Sequence, residues 1–268
     1  MRFGQGASTG VQAQFVRLKD DEWLRRQIHA GKTVAQCLKH CKRMIETSPG
    51  MSLKELEAAC VDIMESRECY PTFLNYKGFP GAICTSVNKQ LVHGIPTDYK
   101  LKEGDVVSVD MGATFEGAIA DAALTAICVK AKDWQHERLL KYCQEALHKG
   151  IEAIQVGARV GVIGRAIHHA TKSSGFKLIT NYGGHGIEYN TPHAHPFVAN
   201  KASKDDGIVI QPGMVLAIEP MLVTGLSAKT KTKDDGWTVV TGGIGAHFEH
   251  SVFIGDERVH VVTEWENA

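Results

Sequence analysis

No apolar run in this 268-residue chain reaches the length of about 20 residues that crosses a bilayer. Its start, MRFGQGASTGVQAQF, has no apolar stretch of the kind found in a secretory signal. Net charge is absent as well. The 30 Lys and Arg balance 30 Asp and Glu, which removes the long-range pull toward DNA or an anionic membrane. Neither is an expected partner. A paired cysteine framework is also missing. The seven cysteines are an odd number in a long chain without a secretory signal, so free thiols in a reducing cytoplasm are expected. Cys37 and Cys41 stand four apart in a helical stretch, which is not a CxxC spacing, and read as two small apolar side chains on one helix face.

The remainder has the composition of a globular protein: 43% apolar and 22% charged, enough to bury a full core and too apolar for disorder. Residues 1–16, rich in Gly, Gln, Ser and Ala, read as an N-terminal arm. Residues 17–268 read as a single domain, because no Pro-rich or Ser-rich linker and no short-period repeat divides them.

Apolar spacing predicts a helix from Leu18 to about Thr47, carried by Trp23, Ile28, Val34, Leu38, Cys41 and Ile45 and ended by Ser48-Pro49-Gly50. Ser52-Leu53-Lys54-Glu55 reads as a capping box opening a second helix through about Glu65. A loop over 69–81 holds Tyr70, Phe73, Tyr76 and Phe79. Strand-like runs follow at Ala82–Val87, Gln90–His93, Val106–Phe115 and Ala118–Val129. Helices are expected near Trp134–Gln155 and Val162–Ser174. Strands return at Val215–Met221, Trp237–Thr241, His247–Ile254 and Val259–Val262. The segment KTKTKDD, from Lys229 to Asp235, reads as a solvated hairpin tip. Helix, helix, strands, then helix, helix, strands suggests an α+β protein of two similar halves, each an antiparallel sheet covered by helices.

Two aspartates draw attention. Val107, Val109, Met111, Ala113 and Phe115 alternate with Ser108, Asp110, Gly112 and Thr114, so Asp110 lies on the less apolar face of a strand. A tight turn near Glu116-Gly117 brings back Asp121. A two-residue turn at 115–116 sets the aspartates opposite each other; one at 116–117 makes them diagonal neighbours; a three-residue loop would separate their faces. Two carboxylates on one apolar face repel and ask for a cation between them. The second half adds His185 in the Gly-rich loop Gly183-Gly184-His185-Gly186-Ile187, Glu219 ending the apolar run PGMVLAIEP, and Glu249 within HFEHSV. Two Asp, two Glu and one His suit divalent Mn, Fe, Co or Zn. Two such ions neutralise four carboxylates, and a hydroxide generated between them can attack a carbonyl that they polarise.

In these motifs the chain closely resembles the type I methionine aminopeptidases, which have the creatinase-like pita-bread fold. The resemblance runs from about Asp20 to Trp265. It is carried by VHGIP at 92–96, VDMG at 109–112, the aspartate eleven residues on, GGHGI at 183–187, PGMVLAIEP at 212–220 and HFEHSV at 247–252. It implies a two-metal centre in which Asp110 chelates one ion, Asp121 and Glu249 bridge both, and His185 and Glu219 complete the other site. It also implies that Glu219 relays protons to the leaving amine, that His93 contacts the scissile peptide, and that His193 is the second substrate histidine. His193 is chosen over His195 because it stands three residues before Pro196. Tyr76, Phe79, Cys84 and Trp237 match pocket-lining positions, and sulfur and aromatic walls suit methionine. His168, His169, His247 and His250 are read as structural.

The implied reaction is removal of the initiator methionine from nascent polypeptides in the cytoplasm by a monomer, with contact near the ribosomal exit. The sequence departs from the family pattern at Glu188, where Gly is usual. It departs again in a 185–196 stretch one residue longer, at Pro192 in place of an aromatic, and in ADAALT around Asp121. Two alternatives compete with this reading. X-Pro peptidases of this fold carry an N-terminal domain for which 268 residues leave no room. A partner-binding relative without catalysis would have lost its ligands, and all five positions are kept.

Overall fold

The computed structural model describes residues 16–265. The arm assigned to 1–16 lies, except for Val16, outside the described residues. Four helices carry the chain: α1 (Asp21–Thr47), α2 (Leu53–Ser66), α3 (Trp134–Glu152) and α4 (Gly161–Thr171). α1 starts three residues later than its apolar pattern suggests. The Lys19 N–H is bonded to the carbonyl of Gly213 outside any helix, and the Asp20 carboxylate caps the Trp23 N–H at 2.9 Å. The capping box of α2 forms as expected, with Ser52 and Glu55 exchanging bonds between side chain and backbone. α3 and α4 stop short of their sequence boundaries. Their ends tighten into bonds three residues back, from Ile154 N to Ile151 O and from Ser174 N to Thr171 O.

α1 and α2 cover a sheet built on the Val106–Phe115 strand. Cys84–Val87 and Tyr70–Pro71 pair along one edge of that strand, and Ala118–Ile127 pairs along the other. α3 and α4 cover the second half, whose five-stranded sheet runs Val259–Val261, His250–Ile254, Val215–Ile218, Gly183–Glu188, Thr191–Ala199. Every pairing is antiparallel. The layered arrangement of two helix-covered antiparallel sheets is the one the element order implied. The core is continuous through both halves, from Leu38 and Leu56 under α1 and α2 to Ile167 and Leu216. Gly31 lets α1 reach the last strand, since a Cβ there would stand 1.9 Å from the Val262 carbonyl oxygen.

Three strand assignments change. The run read as Val215–Met221 breaks at Glu219-Pro220: Val215–Ile218 stays in the five-stranded sheet and Met221–Val223 joins another. The run read as His247–Ile254 breaks likewise into Gly245–His247 and His250–Ile254. Proline lacks the N–H a ladder needs, which explains the first break. The KTKTKDD segment is only partly a tip. Thr230–Thr232 is a strand paired with Val239–Thr241, and the turn lies beyond it, where the Asp235 carboxylate accepts from the Trp237 and Thr238 N–H groups. Among the described residues no helix is long and apolar enough to cross a membrane.

Candidate metal centre

The Val106–Phe115 and Ala118–Ile127 strands join at Glu116-Gly117, both left-handed with φ of 46° and 82°. Two such residues make the tight turn whose twist matches a hairpin. Phe115 faces Ala118, so Gly112 faces Asp121 and Asp110 faces Ala123. The aspartates are therefore diagonal neighbours on one face, the second of the three sequence alternatives. Ser251, wholly buried, fixes Asp121 from the other half of the molecule. Its hydroxyl accepts the Asp121 N–H at 2.8 Å and donates to the Asp121 carbonyl at 2.7 Å. Thr125 does the same to His247, at 2.9 and 2.8 Å. Between these two hydroxyl clamps Glu249 bonds Ala123 directly, N–H to carbonyl at 2.9 Å. The side chains thus substitute for a backbone ladder where the two halves meet.

The Gly183–Ile187 segment is a strand rather than a loop, and this corrects the sequence reading. Its glycines serve close approach. A Cβ on Gly184 would lie 2.0 Å from the Ala217 carbonyl oxygen, and one on Gly186 2.0 Å from that of His195. His185 is thereby pressed between two neighbouring strands. Its Nδ1 lies 3.1 Å from the Gly186 carbonyl, which can only accept. Nδ1 therefore carries the proton and Nε2 presents a lone pair.

That lone pair faces carboxylates. His185 Nε2 stands 3.6 Å from Glu219 Oε1 and 4.0 Å from both Asp121 Oδ2 and Glu249 Oε1. Lone pairs meeting across such gaps repel unless a cation lies between them, and ligands of one divalent ion at 2.0–2.2 Å stand roughly 3–4 Å apart. Two groups whose ligand atoms all lie within 4.8 Å of one another share a member: His185, Glu219 and Glu249, and Asp110, Asp121 and Glu249. A third is Asp121, His185 and His193. Asp110 Oδ1, Asp121 Oδ1 and Glu249 Oε1 are buried without a hydrogen-bond partner. Burial pushes Asp110 up to about 7, with Glu219 adding to the rise and His247 opposing it. Burial and the charges of the other acids push Asp121 and Glu249 well above the ordinary carboxylate range. Burial also raises Glu219, but the His247 imidazole beside it outweighs this and holds Glu219 below its usual value. Unpaired buried carboxylates are costly, so the donor set fits divalent cations.

Comparison with known proteins agrees. Residues 26–256 match the model of metallopeptidase family M24. The methionine aminopeptidase of Mycoplasma capricolum is 39% identical over 94% of this chain and 99% of its own length. Methionine aminopeptidase 1 of Bacillus subtilis is 38% identical over 87% and 93%. The chain belongs to metallopeptidase family M24, among the methionine aminopeptidases. The crystal structure of the Thermotoga maritima methionine aminopeptidase superposes with a TM-score of 0.88 at 36% identity, covering 93% of this chain and 99% of that one. The prolidase of Pyrococcus furiosus, at 19% identity and a TM-score of 0.74, shares the fold and is covered over 66% of its length. The α+β arrangement is the pita-bread fold. Membership of a methionine aminopeptidase family within the metallopeptidases carries divalent-metal binding with it.

The remaining residues that the methionine aminopeptidase resemblance names gather around this centre. His93 has a left-handed φ of 58°, held because Thr85 N donates to the Gly94 carbonyl at 2.7 Å and Gly94 N donates to Ser86 Oγ at 3.1 Å. Burial lowers His93 to about 3, so its imidazole is neutral at working pH. The His193 ring lies 4.5 Å from that of His185, 5.3 Å from Tyr76 and 6.2 Å from Phe73. Burial and His185 hold it neutral as well. Phe79 meets Trp237 edge to face at 5.2 Å, and Phe79 and Cys84 cluster with Phe73. Cys84 is paired across the sheet with Asp110, which joins this apolar cluster to the acidic one. A larger groove of about 990 Å³ runs along α1 past Lys39 and Arg43, and no metal-spaced group of acids and histidines converges there among the described residues.

Two residues escaped the sequence reading. Phe73 was placed in the loop without a role, yet it lines the cleft. His247 reads as structural in the sequence, yet it lines the cleft too and faces the carboxylates. Its spacing was the available signal, since His247 and Glu249 are two apart and an extended segment puts such residues on one side.

Proposed function

We propose that the chain removes N-terminal methionine from proteins and peptides, with Asp110, Asp121, His185, Glu219 and Glu249 holding two divalent ions. The carrying observation is the pair of buried donor groups that share Glu249. Bound ions would acidify a water and polarise the scissile carbonyl. The chain's residues supply the rest. Glu219 is held below its usual value by the His247 imidazole beside it, so a carboxylate oxygen can take a proton from water and pass it to the leaving amine. Neutral His93 and His193 flank the cleft as hydrogen-bonding groups for the scissile peptide. Tyr76, Phe79, Cys84 and Trp237 form the wall that takes the methionine side chain, with Phe73 beside them. Residues 17–268 act as one domain and as a monomer, on nascent chains in the cytoplasm near the ribosomal exit.

The test is cleavage of a methionyl peptide together with metal analysis. Activity should vanish on chelation, return with Mn, Fe, Co or Zn, and fall at least about 10³-fold in Asp110→Asn, as removal of a charged group from such a centre does. Cleavage that survives both treatments overturns the reading.

A further inference from the structure

His247 is 2% exposed, and neither of its ring nitrogens has a well-aligned hydrogen-bond partner. An imidazole buried in this way costs stability unless it serves the groups it faces. Those groups are two carboxylates. Nε2 stands 3.5 Å from Glu219 Oε2 and 3.7 Å from Glu249 Oε2. His185 faces the other oxygen of each, Oε1, at 3.6 and 4.0 Å. Glu219 and Glu249 therefore lie between two imidazoles, one on each side.

The two rings are not equivalent. His185 gives its proton to a backbone carbonyl and turns a lone pair toward the carboxylates. No carbonyl claims a proton of His247, whose backbone N–H and carbonyl are both taken by Thr125. An Nε2–H directed at the Glu219 carboxylate, with the Glu249 oxygen beside it, is the favourable arrangement there, because a lone pair would repel them.

We propose that His247 is a positioning residue whose Nε2–H holds Oε2 of Glu219, with Oε2 of Glu249 beside it. The Oε1 atoms, which face His185, would then be free to hold divalent ions. Thr125 fixes the backbone of His247, so one buried hydroxyl sets the angle of the donor. The proposal rests on the metal-centre reading above. It adds that the affinity of the centre depends on a residue outside the five candidate ligands. Groups of this kind change metal affinity about 10–100-fold.

The experiment compares His247→Leu and His247→Gln with the parent chain, all stripped of metal and titrated with Mn by calorimetry, with urea melts to verify folding. Gln keeps an N–H donor and Leu does not. The expected result is an Mn dissociation constant raised about 10–100-fold in His247→Leu and restored to within about 3-fold in His247→Gln. Equal weakening in both variants overturns the donor role in favour of direct coordination by the imidazole. Unchanged affinity in His247→Leu overturns any role. If the leucine variant does not fold, Thr125→Val replaces it and should weaken Mn binding in the same direction; unchanged binding there overturns the proposal. A parent chain that binds no Mn defeats the metal-centre reading itself, which separates the two failures.

Discussion

Glu188 Oε1 lies 2.6 Å from Nζ of Lys19, a residue 169 positions earlier in the chain. The same oxygen accepts the Arg17 N–H at 3.0 Å. The next residue, Tyr189, packs edge to face on Trp23 at 4.3 Å and accepts from Arg26 at 3.1 Å. Glu188, the departure from the family's usual Gly, thus ties the segment before α1 to the turn between Gly183–Glu188 and Thr191–Ala199. The Lys19 side chain is only 2% exposed, and burial lowers its pKa while Glu188 opposes the fall. Glu188→Gln would leave a buried ammonium without its counter-ion. The expected loss is about 1–3 kcal/mol in urea unfolding, with metal affinity unchanged.

Metal-free protein should respond to pH in a way that bound metal removes. Asp110, Asp121 and Glu249 are raised, so the folded state keeps protons that the unfolded chain has released. Stability then falls as pH rises, at about 1.4 kcal/mol per pH unit for each such carboxyl. Buried His93, His185 and His193 are lowered and act oppositely, but only below about pH 6.5, where unfolded histidine still binds a proton. The two effects compete below about pH 6.5; above it the histidines drop out, Asp110 contributes only up to about pH 7, and Asp121 and Glu249 carry the fall further. Thermal melts of chelated protein should therefore drop from about pH 6.5 to about 8, below the range where the thiols of the unfolded chain ionise. Saturating divalent metal should abolish the drop, because the carboxylates then bind as anions.

Three of the five proposed ligands stand out in the sequence because each breaks a local rule. An ionisable residue in an apolar strand has a partner, and Asp110, Asp121 and Glu219 stand in runs of Val, Ala, Ile and Leu. The hairpin register was legible down to two turn alternatives, which the left-handed pair at 116–117 decides. Other features depended on contacts distant in sequence. Gly183–Glu188 looks like a loop by composition and is a strand only because Ala217 and His195 approach its glycines. His247 resembles its neighbour His250, which bonds Thr263 at 3.0 Å as a structural residue does. What separates them is the arrival of Glu219 from another strand, and no local pattern records that.

Ser251 should matter to the centre although it touches no proposed cation position. Its hydroxyl closes both backbone bonds of Asp121 across the two halves. Ser251→Ala strands a buried N–H and a buried carbonyl, each worth about 1–3 kcal/mol. The variant should lose about 2–4 kcal/mol of stability and bind Mn more weakly, because Asp121 is no longer held. Urea melts and calorimetry on one preparation would check both effects. Ser251→Thr, which keeps the hydroxyl, should recover metal affinity at some cost in packing.

The apolar wall should act on binding rather than on chemistry. Phe79 and Trp237 meet at 5.2 Å beside Cys84, which is paired across the sheet with Asp110. Neither ring belongs to a group that could hold an ion. Trp237→Ala removes a large contact area, about 2–3 kcal/mol for a methionine side chain. A methionyl tripeptide should then show KM raised about 30- to 150-fold with kcat nearly kept, since equal loss from ground and transition states leaves kcat alone. The loss should shrink for an alanyl tripeptide, which has no long side chain to place against the wall. Cys84, whose thiol is pushed far up by burial and by Asp110 beside it, should resist alkylation in the parent chain and become reactive only when Trp237→Ala opens the wall.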